Sequence, residues 1–132
     1  MDLEILKIAS NTENHKIIKN FTHSSKDKNP ICGDEMQISI IVKNDQIEDF
    51  AYQCNSCVYC QASASLLSRK VIKVPLQEVS ELLKESEFFF NKKEHKILRK
   101  WKDFKKIITE KNISRKECLI LPFKTLAKAL KS

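Results

Sequence analysis

Apolar residues follow two rhythms along this chain. Over Met36-Gln37-Ile38-Ser39-Ile40-Ile41-Val42 they alternate with polar residues and are largely β-branched, the period of a strand with one buried face. Asn44-Asp45 marks a turn. Ile47–Tyr52 then reads as the returning strand of a hairpin, with Ile47, Asp49 and Ala51 on one face and Glu48, Phe50 and Tyr52 on the other. Elsewhere the spacing is three and four. Leu3–Ile8 predicts a short first helix, and the polar stretch from Asn11 to Asn29 predicts a loop or a weak edge strand. From Cys57 onward, Ala62, Ala64, Leu66, Leu67 and Val71 suit a helix, whose small Ala62-Ser63-Ala64-Ser65 stretch permits close packing on the sheet. Pro75 opens another helix through Leu76, Val79, Leu82 and Leu83.

Phe88-Phe89-Phe90 reads as buried, and Ile97, Leu98, Trp101, Phe104, Ile107 and Ile108 describe an amphipathic helix with a basic outer face. A last helix runs from about Ser114, with Ser114 or Asn112 as cap, through Leu119, Leu121, Phe123, Leu126 and Leu130. Pro122 implies a kink in it, or a start near Leu121. A few strands followed by helices predict an α+β fold: a small antiparallel sheet of about three strands with four to five helices packed on one face.

Length and composition narrow this picture. At 132 residues the chain reads as one domain, 1–132, with room for a core. One glycine and three prolines argue against a turn-rich all-β fold. No apolar stretch approaches the ~20 residues of a membrane span, and Met1-Asp2-Leu3-Glu4 lacks the basic start of a secretory signal. A cytoplasmic protein with no membrane role is expected. The net charge of +7 raises the question of nucleic acid. The lysines, however, are scattered from Lys7 to Lys131 and densest at 92–106, and no nucleic-acid motif accompanies them. A solvated helix face, or after it a docking face for an acidic protein, accounts for that run.

Five cysteines is an odd number, and in a reducing compartment metal binding or catalysis fits it better than a disulfide framework. Asn29-Pro30-Ile31-Cys32-Gly33-Asp34, Cys57-Val58-Tyr59-Cys60-Gln61-Ala62-Ser63-Ala64-Ser65 and the late Cys118 offer three separated thiols and a carboxylate. Thiolates bind zinc or iron, and an aspartate can complete a four-coordinate site. In an extended stretch Cys32 and Asp34 point to the same side. Cys57, near a helix start, gains from the dipole that favours a thiolate.

These three segments, in this order and ending in Arg115-Lys116-Glu117-Cys118, resemble the iron–sulfur cluster assembly scaffolds of the IscU/SufU (NifU N-terminal-like) family. The resemblance runs from about Asn29 to Leu130, and residues 1–28 match poorly. It implies the same α+β architecture and a non-enzymatic scaffold. Cys32, Asp34, Cys57 and Cys118 would hold zinc, iron or a transient iron–sulfur cluster. Sulfur would come from a cysteine desulfurase, and the cluster would pass to apo iron–sulfur acceptor proteins. Glu117 stands where the IscU branch has a histidine, and the Leu-Pro-Pro-Val-Lys motif of that branch is missing. Both features, with the long gap between Cys57 and Cys118, look like the SufU branch. Ser56 replaces the usual glycine.

Cys118, beside Arg115 and Lys116, is the expected sulfur acceptor, with Cys57 next. Arg115 and Lys124 flank it and read either as cations for a thiolate or persulfide or as plain solvated helix-face residues. Cys54 and Cys60 read as ordinary small side chains, Cys60 buried, or alternatively as an auxiliary ligand or a resolving thiol. His15, His23 and His95 have no ligand spacing to a cysteine and read as surface residues. The competing reading is a structural zinc module that transfers no sulfur. A nucleophilic-cysteine enzyme comes last, since no histidine or asparagine is placed to activate a thiol.

Overall fold

A computed structural model describes residues 3–29, 33–55, 57–92, 103–104, 107 and 116–131, with backbone alone over 87–92. The elements are α1 (Leu3–Ala9), β1 (His23–Lys28), β2 (Glu35–Lys43), β3 (Gln46–Asn55), α2 (Val58–Val71), α3 (Leu76–Lys92) and α4 (Lys116–Lys131). The strands form one antiparallel sheet in the order β1-β2-β3. The fold is α+β, and no described helix is long and apolar enough to cross a membrane. Apart from Lys92, Asp103 and Phe104, the helical reading of 92–106 lies outside the described residues, as do the burial of the Phe88–Phe90 side chains, the caps Asn112 and Ser114, and His95.

The β2–β3 hairpin turns through Asn44 (φ 55°) and Asp45 (φ 60°), the paired left-handed geometry that matches strand twist and that Asn and Asp tolerate. β2 buries Met36, Ile38 and Ile40 opposite Cys54, Tyr52 and Phe50. The expected faces of β3 need one correction. The register slips between Ile41, paired with Asp49, and Val42, paired with Ile47. Glu48 is therefore an extra residue, a bulge, and Ile47 joins Phe50 and Tyr52 on the buried face instead of opposing them. Strict alternation cannot anticipate an inserted residue.

β1 is an edge strand, polar as expected; Lys26 and Lys28 suit an exposed edge. At the other edge, β3 is covered. Tyr52 N–H donates to the Asn14 carbonyl (3.0 Å), and Ile47 exchanges backbone bonds with Val74 and Lys73.

α2 is buried nearly all round, between α1, α4 and β3. Its Cys60, Ala64, Leu67 and Val71 form one helical stripe, each fully buried. The small residues do more than permit approach. Ser63 Oγ donates to the Leu119 carbonyl on α4 (2.6 Å), and Ser65 Oγ to the Asn11 carbonyl (2.7 Å). Ser68 Oγ accepts from Asn14 Nδ2 (3.0 Å) and donates to the Ser65 carbonyl (2.8 Å). Each buried hydroxyl is thereby satisfied, at about 0.5–1.5 kcal/mol net per bond.

α4 continues N-terminal to Pro122, so the alternative start near Leu121 does not hold. Pro122 forfeits the amide bond to the Cys118 carbonyl. Burial of Leu119, Ile120, Leu121 and Phe123 offsets that loss. Phe104 packs edge-on against Phe123 (centroids 5.7 Å apart), and Ser25 Oγ donates to the Thr125 carbonyl (2.5 Å), tying α4 to β1.

Candidate metal centre

Three chain segments meet at one end of the sheet. The β1–β2 connection is closed by Asn29 N–H to the Asp34 carbonyl and Gly33 N–H to the Asn29 carbonyl, both 2.8 Å. Gly33 sits at φ +78° with open space where a Cβ would be, so the glycine serves backbone conformation and not close approach. This turn delivers Asp34 immediately before β2. Across the β2–β3 ladder Glu35 pairs with Asn55, so Asp34 and Cys57 lie just beyond the same end of that ladder. Cys57 is the N-cap of α2 (φ −72°, ψ 168°), and its amide donates to Asp34 Oδ1 (3.3 Å). Cys118 arrives from the other end of the chain, in the first turn of α4.

The Asp34, Cys57 and Cys118 ligand atoms all lie within 4.8 Å of one another. Ligands of a tetrahedral ion at ~2.0–2.3 Å sit roughly 3.3–3.8 Å apart, so small side-chain rotations suffice to enclose one. Asp34 is 7% exposed, and its Oδ2 is buried without a hydrogen-bond partner among the described residues. A buried carboxylate oxygen left unpaired is costly, and a cation held between it and two thiolates removes that cost. The donor set thus fits zinc or iron, borderline metals that accept sulfur and carboxylate together. Cys57 is half-buried and Cys118 buried.

Of the four expected ligands, the structure brings together Asp34, Cys57 and Cys118, while Cys32 lies outside the described residues, as does Arg115. Cys54 is on β3 opposite Met36 and is not one of the trio, and Cys60 is fully buried one helical turn after Cys57. Lys124 does not accompany Cys118. It lines a groove of about 660 Å³ between α3 and α4, with Leu83, Lys84, Ile120 and Phe123. His15 stacks on Tyr52 (centroids 5.1 Å apart), and His23 Nδ1 meets Thr22 Oγ1 at 2.8 Å. Burial pushes the Tyr52 hydroxyl above its usual range, with the Cys54 thiol adding to the shift. Ser63 was not anticipated as a site residue. Its bond to Leu119 sets α2 against α4 one residue from Cys118, and in the sequence it shows only as one small residue among several.

The family profile described as the NifU-like N-terminal domain matches residues 2–111. That span includes Cys32, Asp34 and Cys57 and stops short of Cys118. The chain is 31% identical over 128 residues to the iron–sulfur cluster assembly scaffold protein IscU of Thermotoga maritima, covering 96% of this chain and 89% of that protein. Its fold is similar to the crystal structure of FiSufU from Fervidobacterium islandicum AW-1, assigned as an iron–sulfur cluster assembly scaffold for the SUF system. That match has a TM-score of 0.89 and 27% identity, over 98% of this chain and 96% of that one. An N-terminal NifU-like protein from Brucella abortus shares the fold, with a TM-score of 0.89 at 19% identity, over 98% of this chain and 91% of that one.

Proposed function

Because the chain belongs to the family of NifU-like N-terminal domains, we propose that it is an iron–sulfur cluster assembly scaffold. It would receive sulfur and iron, hold a nascent cluster as cargo, and pass it to apo iron–sulfur proteins. The observation that carries this reading is the convergence of Asp34, Cys57 and Cys118 within 4.8 Å, with a buried Asp34 carboxylate oxygen that has no hydrogen-bond partner among the described residues. Cys32, two residues before Asp34 in the same connection, is the fourth ligand of the proposed site. The role asked of the chain is holding and release, not turnover. A cysteine desulfurase is the proposed sulfur donor, and Cys118, with Cys57 next, the accepting thiol. The proposed setting is the cytoplasm, with neither nucleic acid nor a membrane as partner.

A carboxylate among thiolates suits reversible holding. Oxygen is a harder and weaker ligand than thiolate for a soft centre, so Asp34 is the ligand that lets go. With zinc in the same place, departure of Asp34 would open a position while the thiolates keep the ion, and zinc would serve there as a template for the thiols. Cys57 is partly exposed, which gives cargo a way in and out of the centre, whereas a purely structural zinc site is closed. Glu117 where the IscU branch carries histidine favours the SufU branch of the family.

The test is metal analysis of the purified protein followed by anaerobic loading with iron and sulfide, read by visible absorption, and transfer to an apo-ferredoxin. The expected result is one site per chain, lost when Cys57 or Cys118 is replaced by alanine. Tight metal binding with neither cluster formation nor transfer would instead favour a structural zinc module.

A further inference from the structure

We propose that Cys60 is a resolving thiol. It attacks sulfur carried on Cys57, releases it as sulfide, and leaves a Cys57–Cys60 disulfide. The inference rests on the sulfur-acceptor reading above, with Cys57 rather than Cys118 as the thiol that carries the sulfur, and adds to it the source of the electrons. Cluster assembly consumes sulfur as sulfide, whereas a persulfide carries it two electrons more oxidised. A scaffold with a second thiol at the accepting one can make that reduction in place.

The geometry is that of Cys-x-x-Cys at a helix start. Cys57 is the N-cap of α2, with extended backbone and no side-chain capping bond, so its sulfur is not held by the first-turn amides. Cys60 is the third residue of the helix, and Gln61 N–H to the Cys57 carbonyl (3.1 Å) confirms that the turn is closed between them. An N-cap side chain projects over the amides of the second and third helical residues. Helical Cα–Cβ bonds tilt toward the N-terminus. Cys60, the third helical residue, thus leans back toward the N-cap position that carries Cys57. A small backbone shift at Cys57, which is the extended N-cap, brings the Cβ atoms to the ~3.5–4.5 Å of a disulfide. Cys60 is 0% exposed, which shields it from external persulfides and leaves a sulfur on Cys57 as its natural electrophile. Cys54 lies on another element, at the end of β3.

The steps balance. The Cys57 thiolate attacks the outer sulfur of a donor persulfide R–S–S–H; a sulfur–sulfur bond forms on Cys57, and the donor leaves as the thiolate R–S⁻. Cys60 sulfur then attacks Cys57 Sγ. The Cys57–sulfane bond breaks, its electron pair departs with the outer sulfur, and the Cys60 proton goes with it, giving hydrogen sulfide. Outer sulfur is reduced, and the two cysteines are oxidised to a disulfide. A dithiol reductant resets the pair by exchange.

The experiment uses the full chain without metal, treated anaerobically with glutathione persulfide and freed of excess donor by gel filtration. Released sulfide is measured and the cysteines are mapped by mass spectrometry. The wild type is expected to release sulfide while Cys57 and Cys60 together lose two hydrogens. Cys60→Ser and Cys60→Ala are expected to keep the added sulfur on Cys57 and to release sulfide no faster than buffer. Cys54→Ala is expected to behave as wild type. Zinc binding and far-UV circular dichroism of the Cys60 variants show whether the fold and the site survive. Should both variants unfold, the disulfide map of the wild type decides alone. Sulfur that stays on Cys57 in the wild type, sulfur carried on Cys118 instead of Cys57, or a disulfide between Cys57 and another cysteine overturns the inference and leaves the scaffold reading standing. No sulfur on any site cysteine overturns both this inference and the sulfur-acceptor reading.

Discussion

Asp34 and Cys57 reach the centre by a different route from Cys118. Asp34 and Cys57 flank one end of the β2–β3 ladder, where the pairing of Glu35 with Asn55 brings them together, and a hydrogen bond from the Cys57 amide to Asp34 Oδ1 joins them directly. Cys118 enters on α4, whose position depends on packing against α2, β1 and β2 and on the Ser63–Leu119 bond. One half of the centre is built by a hairpin and a helix cap, the other by the assembled core. Damage to packing should therefore loosen Cys118 first and leave the Asp34–Cys57 pair in place.

The largest effect expected is on metal affinity. Replacing even an outer-sphere partner costs 10–100-fold in typical sites, so Cys57→Ala and Cys118→Ala should each weaken zinc or iron binding by at least about 100-fold. Competition with a chromophoric chelator measures this. A Cys118→Ala protein that binds as tightly as wild type would remove α4 from the centre.

Asp34→Ala should act in the opposite sense on release. With the thiolates retained and the labile oxygen gone, cluster transfer to an apo-acceptor should slow by about tenfold, followed by visible absorption. Equal transfer rates would take Asp34 out of the hand-off.

Ser63→Ala sharpens the comparison at smaller scale. It removes the donor to a buried carbonyl, for a loss of about 1 kcal/mol in unfolding free energy by denaturant titration. Alkylation of Cys118 should quicken, and that of Cys57 should stay unchanged. Equal quickening at both thiols would mean that the two routes are not independent.

The smallest effect belongs to Lys73 and Glu48, at the far end of β3, whose ion pair spans 2.5 Å. The hydrogen bond from Lys73 holds the Glu48 carboxyl below its usual range. A depressed carboxyl contributes stability that is present above its unfolded pKa and lost as pH falls through the folded one. Lys73→Ala should therefore return the Glu48 titration, read by NMR, toward the ordinary value. The melting temperature at neutral pH should scarcely move, because the pair is solvent-screened. A large drop in melting temperature would show that Lys73 matters chiefly for its left-handed backbone (φ 69°) between α2 and α3.

Much of this molecule was legible in its residues because the signals are local. The alternation of Met36–Val42, the Asn44-Asp45 turn, the helix beginning beside Cys57 and the one opened by Pro75 each arise from contacts within a few residues, which composition and period report directly. Cys32, Asp34, Cys57 and Cys118 were nameable as candidate ligands from chemistry and family pattern, and Cys60 as buried from its place on the α2 stripe.

Other features arise from contacts distant in sequence, and these only the tertiary structure decided. The bulge at Glu48 moves Ile47 to the buried face because two strands of unequal residue count must share one ladder. α4 runs through Pro122 because burial on both sides of it outweighs one missing amide bond. Ser63 becomes a fastener because its hydroxyl meets a carbonyl 56 positions away, and Lys124 turns to a groove because α4 shows that face to α3. The meeting of Cys118 with Asp34 and Cys57 belongs to the same class. No local preference encodes it, since it follows from the packing of two helix starts against one end of a sheet.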